Sequence, residues 1–142
     1  MLTPRGESQS RVAGAALARM EPGFEAILFS PKVRARRTAE LAAAEWGQDA
    51  RSLLSVHPSL AGGFDAGQAL DLLSGLSADA HLLLVGHEPD LSKVISELTG
   101  ARADIKKAGL AIVRLEGAGG ELTVLMRPRE LALIAGAPLG GE

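Results

Sequence analysis

The sequence predicts an α/β fold: a three-layer α/β/α sandwich with a mostly parallel sheet and a C-terminal β-hairpin, its first strand missing. Two short apolar runs, Ala26 to Phe29 and His81 to Val85, have the length of buried strands and alternate with segments of helical period. Two further strand-like runs, Leu110 to Leu115 and Leu122 to Met126, bracket Gly117-Ala118-Gly119-Gly120 and read as a hairpin. No repeat or linker divides the 142 residues, so residues 1–142 are read as a single domain.

Taken in order, Leu2-Thr3-Pro4 opens a helix, with Thr3 as cap and Pro4 at the first helical position. Val12, Ala13, Ala16, Leu17 and Met20 share one face of it, and Glu21-Pro22-Gly23 stops it. The strand at Ile27 ends at Ser30-Pro31, and a second helix runs from about Lys32 to Trp46 before the polar Gly47-Gln48-Asp49. Leu53 to Leu60 is extended. After Gly62-Gly63, Asp65 and Gln68 form a capping box for a helix carrying Leu70, Leu73 and Leu76. The strand at His81 ends at Gly86, Asp90 caps a helix with Leu91, Val94, Ile95 and Leu98, and Thr99-Gly100 ends it. The Gly-rich tail after Ile134 is expected to fray. The chain thus opens on a helix, where a right-handed crossover in such a fold normally starts from a strand.

Composition narrows the function. The apolar fraction of 46% fills one core, and with only 3% aromatic residues Leu, Ala, Val and Ile must do so. A net charge of −2 supplies no field for nucleic acid or an anionic membrane. The absence of cysteine removes disulfides, thiolate metal sites and a cysteine nucleophile. No apolar run approaches the ~18 residues of a membrane span and no signal peptide is visible, so a cytoplasmic protein is expected. Three histidines on separate elements, without carboxylates at metal-cage spacing, predict no metal, and no phosphate-binding glycine motif or dinucleotide fingerprint predicts a cofactor.

Two strand ends carry the chemistry. Ser30-Pro31-Lys32-Val33-Arg34 runs into a helix N-terminus, where the Arg34 guanidinium and the helix dipole can hold an anion together. Leu83-Leu84-Val85-Gly86-His87-Glu88-Pro89 delivers His87 from the C-terminal end of a buried strand. Ligands of open α/β sheets bind outside the carboxyl ends of the strands, so Arg34 and His87 are placed to meet in one crevice. Taken singly, the cluster of Lys32, Arg34, Arg36 and Arg37 reads as a solvated helix face and His87 as a structural residue; their joint occurrence points to phosphate.

Leu2-Thr3-Pro4-Arg5-Gly6-Glu7-Ser8-Gln9 resembles the L-T-x-x-G-x-x-Q segment of the histidine phosphatase superfamily. Ser30-Pro31-x-x-Arg34-Ala35-x-x-Thr38-Ala39 is similar to its S-P-x-x-R-A-x-Q-T-A element. Val85-Gly86-His87-Glu88-Pro89-Asp90-Leu91-Ser92 resembles the V-G-H-x-P-x-L-S block of its short SixA-like branch. The resemblance implies a phosphoglycerate-mutase-like fold and a hydrolase without cofactor or metal. Arg34 and His87 would be catalytic and would grip the transferring phosphoryl group, with the Glu88 backbone N–H as a further donor. The family's nucleophile is another histidine, in an R-H-G or R-H-A motif just upstream of L-T-x-x-G, and the chain as read is therefore N-terminally truncated. His57, before Pro58, and His81, opening a strand, are read as a satisfied polar group or exposed strand-end residues and not as substitutes. The lost strand would leave sheet groups unpaired at ~1–3 kcal/mol each if buried, so a start inside the natural reading frame is expected, with a strand-lending dimer as the alternative. Arg37 stands where the family has Gln and should make the rim more positive. Asp65 is read as a helix cap and not as a general acid, and a weak general acid suits P–N cleavage.

The implied activity is removal of phosphate from a phosphohistidine-containing protein through a phosphohistidine enzyme intermediate. The rivals are a small-molecule phosphomonoesterase on the same scaffold, and a catalytically dead phosphate- or protein-binding module if the chain truly begins at Met1. A monomer with no nucleic-acid or membrane partner is expected.

Overall fold

A computed structural model describes residues 3–20, 24–47, 51–76, 81–102, 104–105, 109–116 and 119–136. The expected stop at Glu21-Pro22-Gly23, the central turn residues Gly117-Ala118 and most of the Gly-rich tail lie outside the described residues.

The chain runs α1 (Pro4–Met20), β1 (Phe24–Phe29), α2 (Val33–Ala44) and β2 (Leu54–Val56), then a 3-10 turn at Pro58–Ala61. It continues through α3 (Ala66–Ser74), β3 (His81–Val85), α4 (Asp90–Thr99), β4 (Leu110–Glu116), β5 (Gly119–Met126) and α5 (Pro128–Ala135). β1, β2 and β3 form a parallel sheet in the order β2-β1-β3, while β4 and β5 form a separate antiparallel pair. This is the mixed α/β architecture expected, hairpin included. Among the described residues, no strand pairs with the outer edge of β3 or with β4 on its side away from β5.

The helices cover both faces of the parallel sheet. Leu60, Phe64, Ala69, Val94 and Leu98 form one buried cluster against Leu28 of β1 and Leu84 of β3, which places α3 and α4 on that face. Strand side chains alternate, so Ile27 and Phe29, both buried, point to the opposite face, where α2 packs. The first helix starts as its sequence demands: Gly6 N–H donates to Thr3 Oγ1 at 3.0 Å and Glu7 N–H to the Thr3 carbonyl at 2.9 Å. Its inner face differs from the expectation. The buried positions are Gly6, Ser10, Gly14, Ala16 and Leu17, while Val12, Ala13 and Met20 are only half-buried. The reason is close backbone approach: small residues let α1 lie directly on α2, and the Gly14 carbonyl accepts the Trp46 indole N–H at 2.6 Å. Ser10 Oγ bonds the Gly6 carbonyl at 2.9 Å and lies 3.3 Å from Thr38 Oγ1 on α2, so this apposition satisfies its own buried hydroxyl.

The capping box at α3 forms as predicted. Gln68 N–H donates to Asp65 Oδ1 at 2.9 Å, and Asp65 N–H to Gln68 Oε1 at 3.1 Å. The start of α4 is a correction. Asp90 does not cap it; its Oδ2 accepts the Gly63 N–H at 3.0 Å, tying the preceding loop to the helix. The carboxylate of Glu88 does the capping, through the Ser92 N–H at 2.9 Å and the Ser92 hydroxyl. Helix α5 is an addition to the sequence reading. Pro128 sits at its first turn, Glu130 Oε1 accepts the Arg127 N–H at 3.1 Å, and Leu131 and Ala132 are buried as it packs on α1.

Candidate active site

The site is built at the C-terminal ends of β1 and β3. These strands are parallel neighbours with Phe29 opposite Val85, so the residues that follow them emerge side by side. Ser30 N–H still donates to the Val85 carbonyl at 3.0 Å, extending the ladder by one step. Beyond it the chain turns at Pro31 into α2, and beyond Val85 it passes Gly86 to His87 and then α4.

His87 Nε2 lies 2.9 Å from the hydroxyl of Ser30, which is fully buried. The Lys32 N–H donates to the same hydroxyl at 3.2 Å. His87 is half-buried, and its pKa lies below the ordinary imidazole value. Burial is the main cause, followed by the charges of Lys32 and then Arg34; Asp90 pulls the other way. Arg34 occupies the first turn of α2 and is exposed; its guanidinium makes no hydrogen bond or ion pair with a described residue. The two groups singled out in the sequence therefore sit within electrostatic reach of each other. The N-terminus of α2 adds to the same field, for its cap, Lys32, provides no side-chain bond and its first turn holds no acid.

The nearby carboxylates are all occupied. Asp65 caps α3, Asp90 takes the Gly63 N–H, and the Glu88 carboxylate is turned into the first turn of α4. Arg37 does not enrich the rim with free charge as expected: its Nε donates to Glu7 Oε2 on α1 at 3.0 Å, so the pair is close to neutral. His57 ends β2, two strands away from β3, with its ring edge-on to Phe64 at 5.8 Å. Its buried Nδ1 has no hydrogen-bond partner among the described residues, contrary to the satisfied group expected. His81 is exposed at the start of β3, at the opposite end of that strand from His87. Sequence reasoning missed Ser30 and Lys32 as neighbours of His87. Ser30 stands in the sequence as part of a Ser-Pro turn and of the S-P-x-x-R-A element with no role of its own, although a small hydroxyl closing a buried apolar strand is a signal in itself.

Such a cluster of cationic groups should bind tetrahedral anions with a definite pH dependence. A bound dianion offsets the Lys32 and Arg34 charges and raises the His87 pKa, so binding takes up a proton. Sulfate, which stays dianionic, is expected to bind more tightly as the pH falls from ~8 towards ~5. Isothermal titration in two buffers of different ionisation heat measures the proton uptake, and His87→Gln should abolish it.

Comparison with known proteins fits this geometry. The family model for the histidine phosphatase superfamily (branch 1) matches residues 1–58, a span that includes Arg34 and stops short of His87. An uncharacterised protein of Picosynechococcus sp. (strain ATCC 27264 / PCC 7002 / PR-6) is 39% identical over 120 residues, covering 80% of this chain and 70% of that protein. The solved structure of the protein histidine phosphatase SixA complexed with tungstate aligns with a TM-score of 0.81 at 26% identity, over 92% of this chain and 85% of that one. A structure from Escherichia coli str. K-12 substr. MG1655, assigned as an alpha-ribazole-5'-P phosphatase, shares the fold at a TM-score of 0.74 and 17% identity, over 90% of this chain and 85% of that one. A sheet that ends in an arginine-headed helix and a Gly-His turn, with these relatives, defines a phosphatase fold of one kind: the chain belongs to the histidine phosphatase superfamily. Within that superfamily it is similar to the short, SixA-like members, as the 26% identity and shared fold with the SixA structure show. Among the described residues no helix is long and apolar enough to cross a membrane.

Proposed function

We propose that the protein is a phosphohistidine phosphatase acting on a phosphohistidine-containing protein. The observation that carries this reading is the meeting of the Arg34 charge, the open N-terminus of α2 and His87 at one end of the parallel sheet. Phosphoryl transfer needs positioning and charge stabilisation above all, and donors converging on the transferring group supply both. In this reading Arg34 and the Glu88 backbone N–H hold the phosphoryl oxygens, and His87 stabilises the charge that develops on them.

The nucleophile in this proposal is a histidine on a strand preceding α1, and the outer edge of β3, which no strand among the described residues pairs with, is where such a strand would dock. Its imidazole attacks phosphorus, the P–N bond to the substrate histidine breaks, and water then hydrolyses the phosphoenzyme to inorganic phosphate. The substrate preference follows from the carboxylates. Asp65, Glu88 and Asp90 each accept an N–H elsewhere in the fold, which leaves none of the three turned toward a leaving alkoxide to protonate it. An imidazole leaving group can carry its proton on the second ring nitrogen and departs without such help.

The test uses the protein expressed from its complete reading frame. It should dephosphorylate a phosphohistidine phosphotransfer protein and accumulate an acid-labile phosphoenzyme under rapid quench. Sugar phosphates should be turned over at least ~10²-fold less efficiently. Preferential hydrolysis of sugar phosphates would move the protein to the phosphomonoesterases, and the absence of any phosphoenzyme would overturn the covalent route.

A further inference from the structure

We propose that Ser30 is a positioning residue for His87: its hydroxyl donates to Nε2, keeps the proton of the neutral imidazole on Nδ1, and so leaves Nδ1–H as the donor that faces the anion. The inference rests on the reading of His87 as a phosphoryl ligand for its purpose, but on the Ser30–His87 geometry for its substance.

The hydroxyl of Ser30 has one hydrogen to give and two lone pairs to offer. The Lys32 N–H, at 3.2 Å, occupies a lone pair. Ser30 is fully inaccessible to solvent, so its hydrogen must find an acceptor inside the protein. Among the described residues the acceptor in reach is His87 Nε2 at 2.9 Å. Were Nε2 the donor instead, the Ser30 hydrogen would be buried without a partner, an arrangement folded proteins avoid. An imidazole that accepts at Nε2 must carry its proton on Nδ1 while neutral. Burial together with Lys32 and Arg34 favours that neutral form, against the opposing pull of Asp90.

The position of Ser30 is over-determined, which is what a positioning residue requires. Its N–H is held by the Val85 carbonyl at the end of β3, and its hydroxyl receives the N–H of the residue that caps α2. One side chain thereby joins the end of β1, the turn carrying His87 and the helix carrying Arg34. A shift of any of these elements is registered at the imidazole.

The experiment is ¹⁵N NMR of the imidazole nitrogens, with the resonances of the three histidines assigned through single variants. Above the titration range, His87 in the wild-type chain should show a protonated Nδ1 and an unprotonated Nε2. In Ser30→Ala the ring should move toward the Nε2–H tautomer, its pKa should rise, and sulfate affinity should fall roughly fivefold. Ser30→Thr, which keeps the hydroxyl, should restore the wild-type tautomer. A proton found on Nε2 in the wild type would overturn the inference even if Ser30→Ala failed to fold, and so would an unchanged His87 spectrum in a folded Ser30→Ala. The stated tautomer without any response of His87 to sulfate would support the Ser30 role and count against the phosphate reading instead.

Discussion

His87→Ala is expected to lower the turnover of a phosphohistidine protein by ~10²–10³ while leaving the fold in place. The ring is half-buried at a strand end and bonded to the buried Ser30 hydroxyl, so its removal should cost about 1 kcal/mol and lower the melting temperature by only a few degrees, the vacated space letting water pair the hydroxyl. A preorganised donor acting on the transferring phosphoryl group should affect the chemical step more than substrate capture, so kcat should fall and KM should move little. Rapid-quench measurement of phosphoenzyme formation, in the protein from its complete reading frame, reads the effect directly. Arg34→Ala should behave differently: an exposed guanidinium that meets the incoming anion contributes to binding as well, and both kcat and KM should suffer. Undiminished turnover in His87→Ala would remove that residue from the mechanism.

The largest effect on stability should come from the helix pair. A Cβ placed on Gly14 would stand 2.6 Å from the Ala42 Cα and 2.9 Å from its carbonyl carbon. Both obstacles are main chain, and no rotamer change can relieve them. Gly14→Val must therefore push α1 off α2, with loss of the Trp46 hydrogen bond to the Gly14 carbonyl and of the Ser10–Thr38 contact. The cost should be ~3 kcal/mol, well above the gain of up to ~1 kcal/mol in helix propensity over glycine. For a chain of this size that corresponds to a fall of roughly 10 °C in Tm. Gly75→Ala is the control: the added carbon meets only the Leu72 carbonyl oxygen, at 3.6 Å, and should change stability by less than ~0.5 kcal/mol. Thermal unfolding followed by circular dichroism distinguishes the two, and equal behaviour would refute close backbone packing at this crossing.

The elements with one dominant signal were legible in the sequence. β1 and β3 are continuous apolar runs ended by Ser30-Pro31 and by Gly86, and Asp65 with Gln68 carries both halves of a capping box. What escaped was whatever depended on contacts across the fold. Besides the expected Ala16 and Leu17, the inner face of α1 is made of Gly6, Ser10 and Gly14, which allow close approach to α2, and a search for large apolar residues looks past them. Asp90 stands at a helix start and reads as its cap, but the loop at Gly63 comes near enough to claim it, and Glu88 takes over. Arg37 reads as free charge until Glu7, thirty residues earlier in the chain, is seen beside it. Helix α5 is short and opens with Arg127-Pro128-Arg129, so its polar start concealed the buried Leu131 and Ala132. The site itself was half legible: Arg34 and His87 stood out by position, whereas Ser30 acquires meaning only when β1 and β3 lie side by side.

The two helices that border the site treat negative charge in opposite ways. At the lip formed by α4, the chain has already seated a carboxylate of its own, from the residue next to His87. At the lip formed by α2, the leading amides meet no acidic side chain. In the proposed reading an incoming phosphate would find one berth taken and one vacant and would lean toward the arginine side, an asymmetry present before any substrate arrives.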